Sequence, residues 1–307
     1  MKIAVHGVDF SSPTGPNAFC RRMLRRLRDC GHQLVVAGSD CDVDFVNVTL
    51  SAPARSGRIV QRLDGIWTAV HQLHMNTEIK RAYDQATLVV WQSEYDKKLI
   101  TRAFGQKSGY VIRNGAERPS REALDIAKQI KLQTRHKIAC CSASWHPQKR
   151  LTDNVSIMRQ LAQASGDKFT MLVLGRPDDS VAADDVHVIG QASELVCQAV
   201  YAASDVLIHA AWRDHCPNAV CEALAAGCPV ICTDSGGTSE TMCEHVTVIR
   251  DVADHHIDDV IFDHDKPPKL IIDSRLSPPA GRCACAVHTV ERAAKEYEAA
   301  LFAALVR

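Results

Sequence analysis

Short apolar runs alternate with helical segments along this chain, and the alternation starts twice. The first series opens with a strand at residues 2–6 and a helix near 16–30. It continues through strands at 33–37, 44–50, 60–63, 88–92 and 109–112, and the turn Arg113-Asn114-Gly115 closes it. The second opens at 137–142, followed by a helix near 152–163, strands at 169–174 and 186–189, and a buried strand at 229–233. Short strands separated by helices pair in parallel, because a parallel neighbour needs a crossover long enough to hold a helix. Two such series in 307 residues predict an α/β chain of two doubly wound, Rossmann-like domains facing a cleft, each large enough to bury its own core. The expected boundaries are an N-terminal domain at 1–117, a second domain at 118–286, and a C-terminal helix at 287–307 that packs back on the first domain. The polar segment 116–121 reads as the linker. In the last segment Ala, Tyr and Leu recur on one helical face, and the pairs Pro267-Pro268 and Pro278-Pro279 interrupt regular structure before it.

Charge narrows the function classes. Lys plus Arg and Asp plus Glu both number 36, so the chain lacks the global basic field of a nucleic-acid binder. Thirteen cysteines in a chain that begins directly with a strand lead us to expect free thiols and a cytoplasmic location. Cys216, Cys221, Cys228, Cys232 and Cys243 contain no C-x2-C pair, so no metal site is expected from them. No apolar run approaches the ~20 residues of a membrane span. Any membrane contact would be peripheral, through Arg21, Arg22, Arg25, Arg26 and Arg28 of the first helix, whose other reading is a solvated face.

Open parallel sheets bind ligands at the carboxyl ends of their strands. Four loops at such ends carry suitable residues. In residues 9–17 Gly15 opens a helix, but with only Gly7 and Gly15 present there is no G-x-G-x-x-G and no Walker lysine, which disfavours a nicotinamide or flavin site. In residues 142–150 Lys149 and Arg150 follow a strand and precede a helix, an arrangement that presents cations to a diphosphate; the alternative is a solvated basic turn. Gly175 and Gly190 end two strands and carry either a ligand or only a turn. The fourth loop, 212–216, leads into a helix expected from Pro217 to Ala226, with Gly227 ending it. The first amides of that helix, those of Asn218 and Ala219, are expected to face the loop carrying Asp214, with Glu222 one turn on; such an end attracts anions. In the first half, Arg62 and Asp64 end a strand, either as a salt-bridged pair or with Asp64 offering a carboxylate to a substrate. His71 and His74, at helical spacing, read as general bases or as exposed helix histidines.

With these residues assembled, roughly residues 1–245 resemble the retaining GT-B glycosyltransferases of family 4. DHCPNAVCEALAAGCPVICTDSGG is similar to that family's Glu-x7-Glu region with its E-A-x-A-x-G-x-P-V run and double glycine. VIRNG resembles the turn into its second domain, SASWHPQKRL its phosphate loop, and QRLDGIW with NTEIKRAYDQATLVVWQSEYDK a subgroup of it. The resemblance implies a metal-independent transferase, without cofactor, moving a sugar from a nucleotide-diphosphate sugar to a hydroxyl of a glycan, lipid or protein-linked acceptor. It assigns Glu222 to the ribose, Asp214 to the sugar ring and Lys149 to the diphosphate. Ser144 stands where the family often has an arginine, with Arg150 or Arg176 to compensate, and Asp64 serves the acceptor. Gly15, Gly190, Asn218 and Ala219 complete the donor-binding set. The rival readings are a GT-B nucleotide-sugar epimerase or phosphorylase, and a catalytically weak nucleotide-sugar binding protein.

Overall fold

Parallel pairing holds throughout both sheets of the computed structural model, which describes all residues except 13, 178–180, 182, 242, 255–258, 273–275, 278, 280 and 283–285. Pro278 of the second proline pair thus lies outside the described residues. The chain divides into two units. The first comprises Met1–Ala116, Thr289–Arg307 and a short segment around Val260 and Phe262; the second runs from Glu117 to His288 apart from that segment.

In the first unit six strands, β1 (Lys2–His6), β2 (Gln33–Val36), β3 (Val43–Asn47), β4 (Ile59–Arg62), β5 (Leu88–Trp91) and β6 (Gly109–Val111), lie in the order β2-β1-β3-β4-β5-β6. Helices α1 (Gly15–Asp29), α2 (Asn76–Gln85) and α3 (Glu94–Phe104) connect them. Alternate strand residues serve two cores. Ile3, Val43 and Phe45 pack with Phe19, Met23 and Leu24 of α1 and with Tyr297 and Leu301 of the C-terminal helix Val290–Leu305. Val46 and Val89 pack with Ile79 and Tyr83 of α2 and Leu99 of α3. The C-terminal helix begins at Val290 rather than at 287, because Thr289 is extended and its side chain caps the Arg292 amide. β3 stops at Asn47, short of the expected residue 50, because Val48 has φ 67°, a left-handed conformation that ends a strand.

α1 does not present its five arginines as one face. Arg22 is buried, Arg26 pairs with Glu291 at 2.6 Å, and Arg21 donates to the carbonyls of Phe10 and Ser12. Arg25 and Arg28 remain exposed. Among the described residues no helix is long and apolar enough to cross a membrane.

The second unit opens with α4 (Arg121–Gln133), capped by the Ser120 hydroxyl, so the linker expected at 116–121 ends as a helix start. It continues with β7 (Lys137–Ser142), α5 (Leu151–Ser165), β8 (Phe169–Leu174), β9 (Val186–Gly190), α6 (Glu194–Ala203), β10 (Val206–His209), α7 (Asn218–Ala225), β11 (Val230–Thr233) and β12 (Val246–Ile249). The sheet order is β12-β11-β10-β7-β8-β9. The chain therefore builds outward from β7 through β8 and β9, then returns to β7's other side with β10 and builds the opposite way. β7 and β10 flank a topological switch point, where the loops leaving their carboxyl ends diverge and leave room for a ligand. Cys221, Cys228 and Cys232 are buried in this unit's core.

A candidate active site at the switch point of the second sheet

The loops that leave β7 and β10 are tied to each other before they reach any functional side chain. Asn154 of α5 donates through Nδ2 to the carbonyls of Lys149 (2.9 Å) and Arg150 (2.8 Å), and its Oδ1 accepts the Ala210 amide at 3.1 Å. Trp212 N donates to Gln148 O at 2.9 Å, and the Trp145 indole donates to Leu174 O at 2.9 Å. Asn154 is almost fully buried, so these bonds exchange with no water and hold both loops in one geometry.

Asp214 sits at the centre of this frame. Its Oδ2 accepts from Lys149 Nζ at 2.5 Å and from His209 Nε2 at 3.1 Å, and its Oδ1 accepts the His215 amide at 3.0 Å. Burial by itself would raise this carboxyl; the Lys149 ammonium and then His209 outweigh it and hold Asp214 well below the usual carboxylate range. The Asp214 main chain is pinned as firmly. Its carbonyl accepts the Gly237 amide at 2.7 Å, and a Cβ on Gly236, at φ +78°, would stand 2.6 Å from that oxygen, so only glycine fits. The preceding residue, Arg213, holds a left-handed φ of 52°. Its amide donates to Ser235 Oγ at 3.0 Å and its guanidinium grips Asp254 through Nη2 and Nε at 2.9 and 3.2 Å, contacts that offset a conformation costing about 1–2 kcal/mol.

The other expected donor residues divide. α7 begins at Asn218, not at Pro217, because Pro217 has ψ 123° and stands outside the helix as its cap residue; the intrahelical ladder starts with Val220 and Cys221 donating to Pro217 O. Glu222, half-buried on α7, lies close enough to α6 that its charge, after burial itself, helps push the Cys197 thiol up to about 12. It likewise acts on Tyr201, which hydrogen-bonds Ser142 at the end of β7. Ser144 is exposed on the loop after β7. Beside it runs the start of the next loop, since a Cβ on Gly175 would stand 2.1 Å from Ala143 O, and the exposed Arg176 follows directly. Gly190 ends β9, where its carbonyl accepts the Gly175 amide at 2.9 Å.

Arg150 corrects the sequence reading. Expected to present a second cation to a diphosphate, it turns inward instead: its side chain is 2% exposed, Nη1 meets Asp251 at 2.7 Å and Nη2 meets Pro268 O at 2.8 Å. The cause is a left-handed φ of 50° at Arg150, which ends the 3-10 turn Pro147–Lys149 and starts α5, so that adjacent cations point to different surroundings. Of these two adjacent cations, Lys149 is the one that meets Asp214.

In the first unit Gly15 opens α1 after an extended Thr14. Asp64 pairs with Arg62 at 3.3 Å, and the buried Arg62 also bonds Asn47 at 2.9 Å and Asn114 at 3.3 Å and covers the Phe19 ring. The salt-bridged pair is therefore present, and the Asp64 side chain keeps 21% of its surface. His71 and His74 are exposed in the 3-10 segment Val70–Met75.

Sequence reasoning missed three histidines. His209 ends β10, a four-residue strand separated from α6 only by Ser204 and Asp205. His215 follows Asp214, and His264 lies just before the Pro267-Pro268 pair. Burial, followed by the neighbouring His215, pushes His264 down to about 4, and it stands edge-on to Trp212 with ring centroids 6.2 Å apart.

Residues 135–260 match the family described as Glycosyl transferases group 1. No curated protein sequence matches the chain. Among solved structures, the chain is similar to sucrose-phosphate synthase from Thermosynechococcus elongatus, with 15% identity over 100% of this chain and 96% of that one and a TM-score of 0.61. It is similar to HepE of Anabaena, solved with UDP and glucose, with 14% identity over 85% and 88% of the two chains and a TM-score of 0.58. It is also similar to WaaG, a glycosyltransferase involved in lipopolysaccharide biosynthesis, with 12% identity over 84% and 89% and a TM-score of 0.58.

Proposed function

From the premise that this chain has the GT-B fold and carries a glycosyl transferases group 1 domain in its second unit, we propose that it transfers a sugar, with retention and in the manner of family 4, from a nucleotide-diphosphate sugar to a hydroxyl acceptor. The observation that carries the reading is the convergence of Lys149, Asp214 and His209 at the switch point of the second sheet, with Glu222 on the next helix. Breaking the bond from the anomeric carbon to the diphosphate leaves the electron pair on a phosphate oxygen and positive charge on the sugar ring. Lys149 is the cation in place for that oxygen, and the α7 N-terminus adds oriented amides. Asp214 contacts the sugar ring, Glu222 the ribose hydroxyls, and Ser144, Gly190, Asn218 and Ala219 the rest of the donor. The acceptor oxygen attacks from the face the phosphate leaves, and its proton passes to the departing phosphate oxygen. Asp64 of the first unit orients the acceptor, a glycan or lipid hydroxyl. Lys149 does for the leaving group what a divalent ion does in other transferases, and EDTA is expected to leave the rate unchanged. The thirteen cysteines support a cytoplasmic site of action.

The test is a panel of UDP-, GDP- and ADP-sugars in which thermal stabilisation and nucleotide release are measured together. A transferase releases nucleotide from one donor, faster when its acceptor is present. Stabilisation without release would leave a binding protein, and release only with inorganic phosphate a phosphorylase.

A further inference from the structure

Two donors share one carboxylate oxygen at this site, and they differ in their freedom to move. Lys149 Nζ and His209 Nε2 both face Asp214 Oδ2, at 2.5 and 3.1 Å. The Lys149 side chain is 20% exposed on a four-carbon stem, whereas His209 is 6% exposed and fixed at the end of β10, in register with Cys232 of β11. Asp214 itself is 12% exposed, so a carboxylate there that lost its cation without replacement would be a buried, uncompensated charge. Without ligand, Lys149 is committed to Asp214. A diphosphate that uses Lys149 must take it from that carboxylate.

We propose that donor binding moves Lys149 from Asp214 to the diphosphate, and that His209 is the positioning residue that keeps Asp214 charged and in place when Lys149 leaves. This rests on the donor reading given above. His209 keeps its Nε2–H on Oδ2 before and after the exchange, and the His215 amide keeps Oδ1, so no proton changes hands and only the ammonium swings. The arrangement ties the sugar-binding carboxylate to the phosphate end of the donor: Asp214, held in place by His209 and the His215 amide, gives up the ammonium and becomes available to the sugar ring only when a diphosphate occupies Lys149.

Calorimetric titration with UDP, and with GDP and ADP if UDP does not bind, tests the exchange on the full chain. Four variants are compared with wild type: Asp214→Asn, His209→Leu, His209→Gln, and the double variant His209→Leu/Asp214→Asn. Asp214→Asn frees Lys149 and is expected to bind the diphosphate at least fivefold tighter than wild type, although the substitution removes a site residue. His209→Leu leaves Asp214 dependent on Lys149 and is expected to bind at least tenfold more weakly, while His209→Gln, which retains a donor, stays within threefold. In the double variant the His209→Leu loss disappears, which a merely structural histidine would not permit. Wild-type binding with Asp214→Asn no tighter, or a full His209→Leu loss persisting in the double variant, would overturn the exchange while leaving the donor reading intact. Should His209→Leu not fold, Asp214→Asn and His209→Gln decide alone. Failure of wild type to bind any of the three diphosphates would overturn the donor reading and the exchange with it.

Discussion

Arg150→Ala separates the role that the sequence suggests from the one the tertiary structure imposes. The guanidinium and its partner Asp251 are 2% and 0% exposed and meet at 2.7 Å, so neither charge has access to water. Truncation leaves the Asp251 carboxylate with its remaining Ala253 amide donor, at 3.2 Å, and also strips the Pro268 carbonyl of its donor. Removing one partner of such a pair costs about 3–5 kcal/mol, because the other charge is left buried and unpaired. With a urea m-value of about 2 kcal/mol per molar, the midpoint for the second unit falls by roughly 1.5–2.5 M. Urea unfolding read by hydrogen exchange of β7 and β10 peptides assigns the loss to that unit. Replacing both partners, Arg150→Met with Asp251→Leu, is expected to recover most of it, since an apolar pair of similar volume carries no desolvation cost. In the folded fraction of Arg150→Ala the affinity for whichever of UDP, GDP and ADP the wild type binds should be unchanged. A midpoint shift below 0.5 M together with lost nucleotide binding would refute the reasoning and return Arg150 to the diphosphate.

Three further outcomes are expected. The second unit should lose stability as pH falls from about 6.5 to about 4, because His264 is held neutral in the folded state and takes up a proton more readily when unfolded; the depressed group contributes above 6.5 and its contribution is lost down to 4. That contribution is about 3 kcal/mol, and melting temperatures of wild type and His264→Gln across this range check it, the variant being the flatter. Glu222→Gln should keep the fold and weaken donor binding by about 1.5–3 kcal/mol, the worth of charge-assisted hydrogen bonds to the ribose; unchanged affinity in a nucleotide titration would return Glu222 to structure. Asp64→Asn should abolish transfer and leave the nucleotide-induced thermal shift intact, whereas lowered stability with normal specific activity would mean that the carboxylate only pairs with Arg62.

Much of the architecture is legible locally. Alternating apolar runs and helical segments determine parallel pairing, and their restart at residue 137 determines two sheets, because both depend only on residues near in sequence. Asp214 and Glu222 are brought onto one loop and helix by their spacing alone. The strands β10 (VLIH) and β12 (VTVI) escape notice because each is only four residues long, too short for a period to be read.

The site itself is another matter. Lys149 and Asp214 are 65 residues apart and meet only because β7 and β10 become neighbours at the switch point. Nothing in the dipeptide Lys149-Arg150 tells which cation faces the ligand; a left-handed φ at the second sends one outward to Asp214 and the other inward to Asp251. His209 and His264 acquire meaning only from what packs around them. Periodicity reports which face of an element is buried, a property of each segment by itself. The partner that meets a charged side chain, and the water excluded from it, belong to segments distant in sequence, and these only the folded chain brings together.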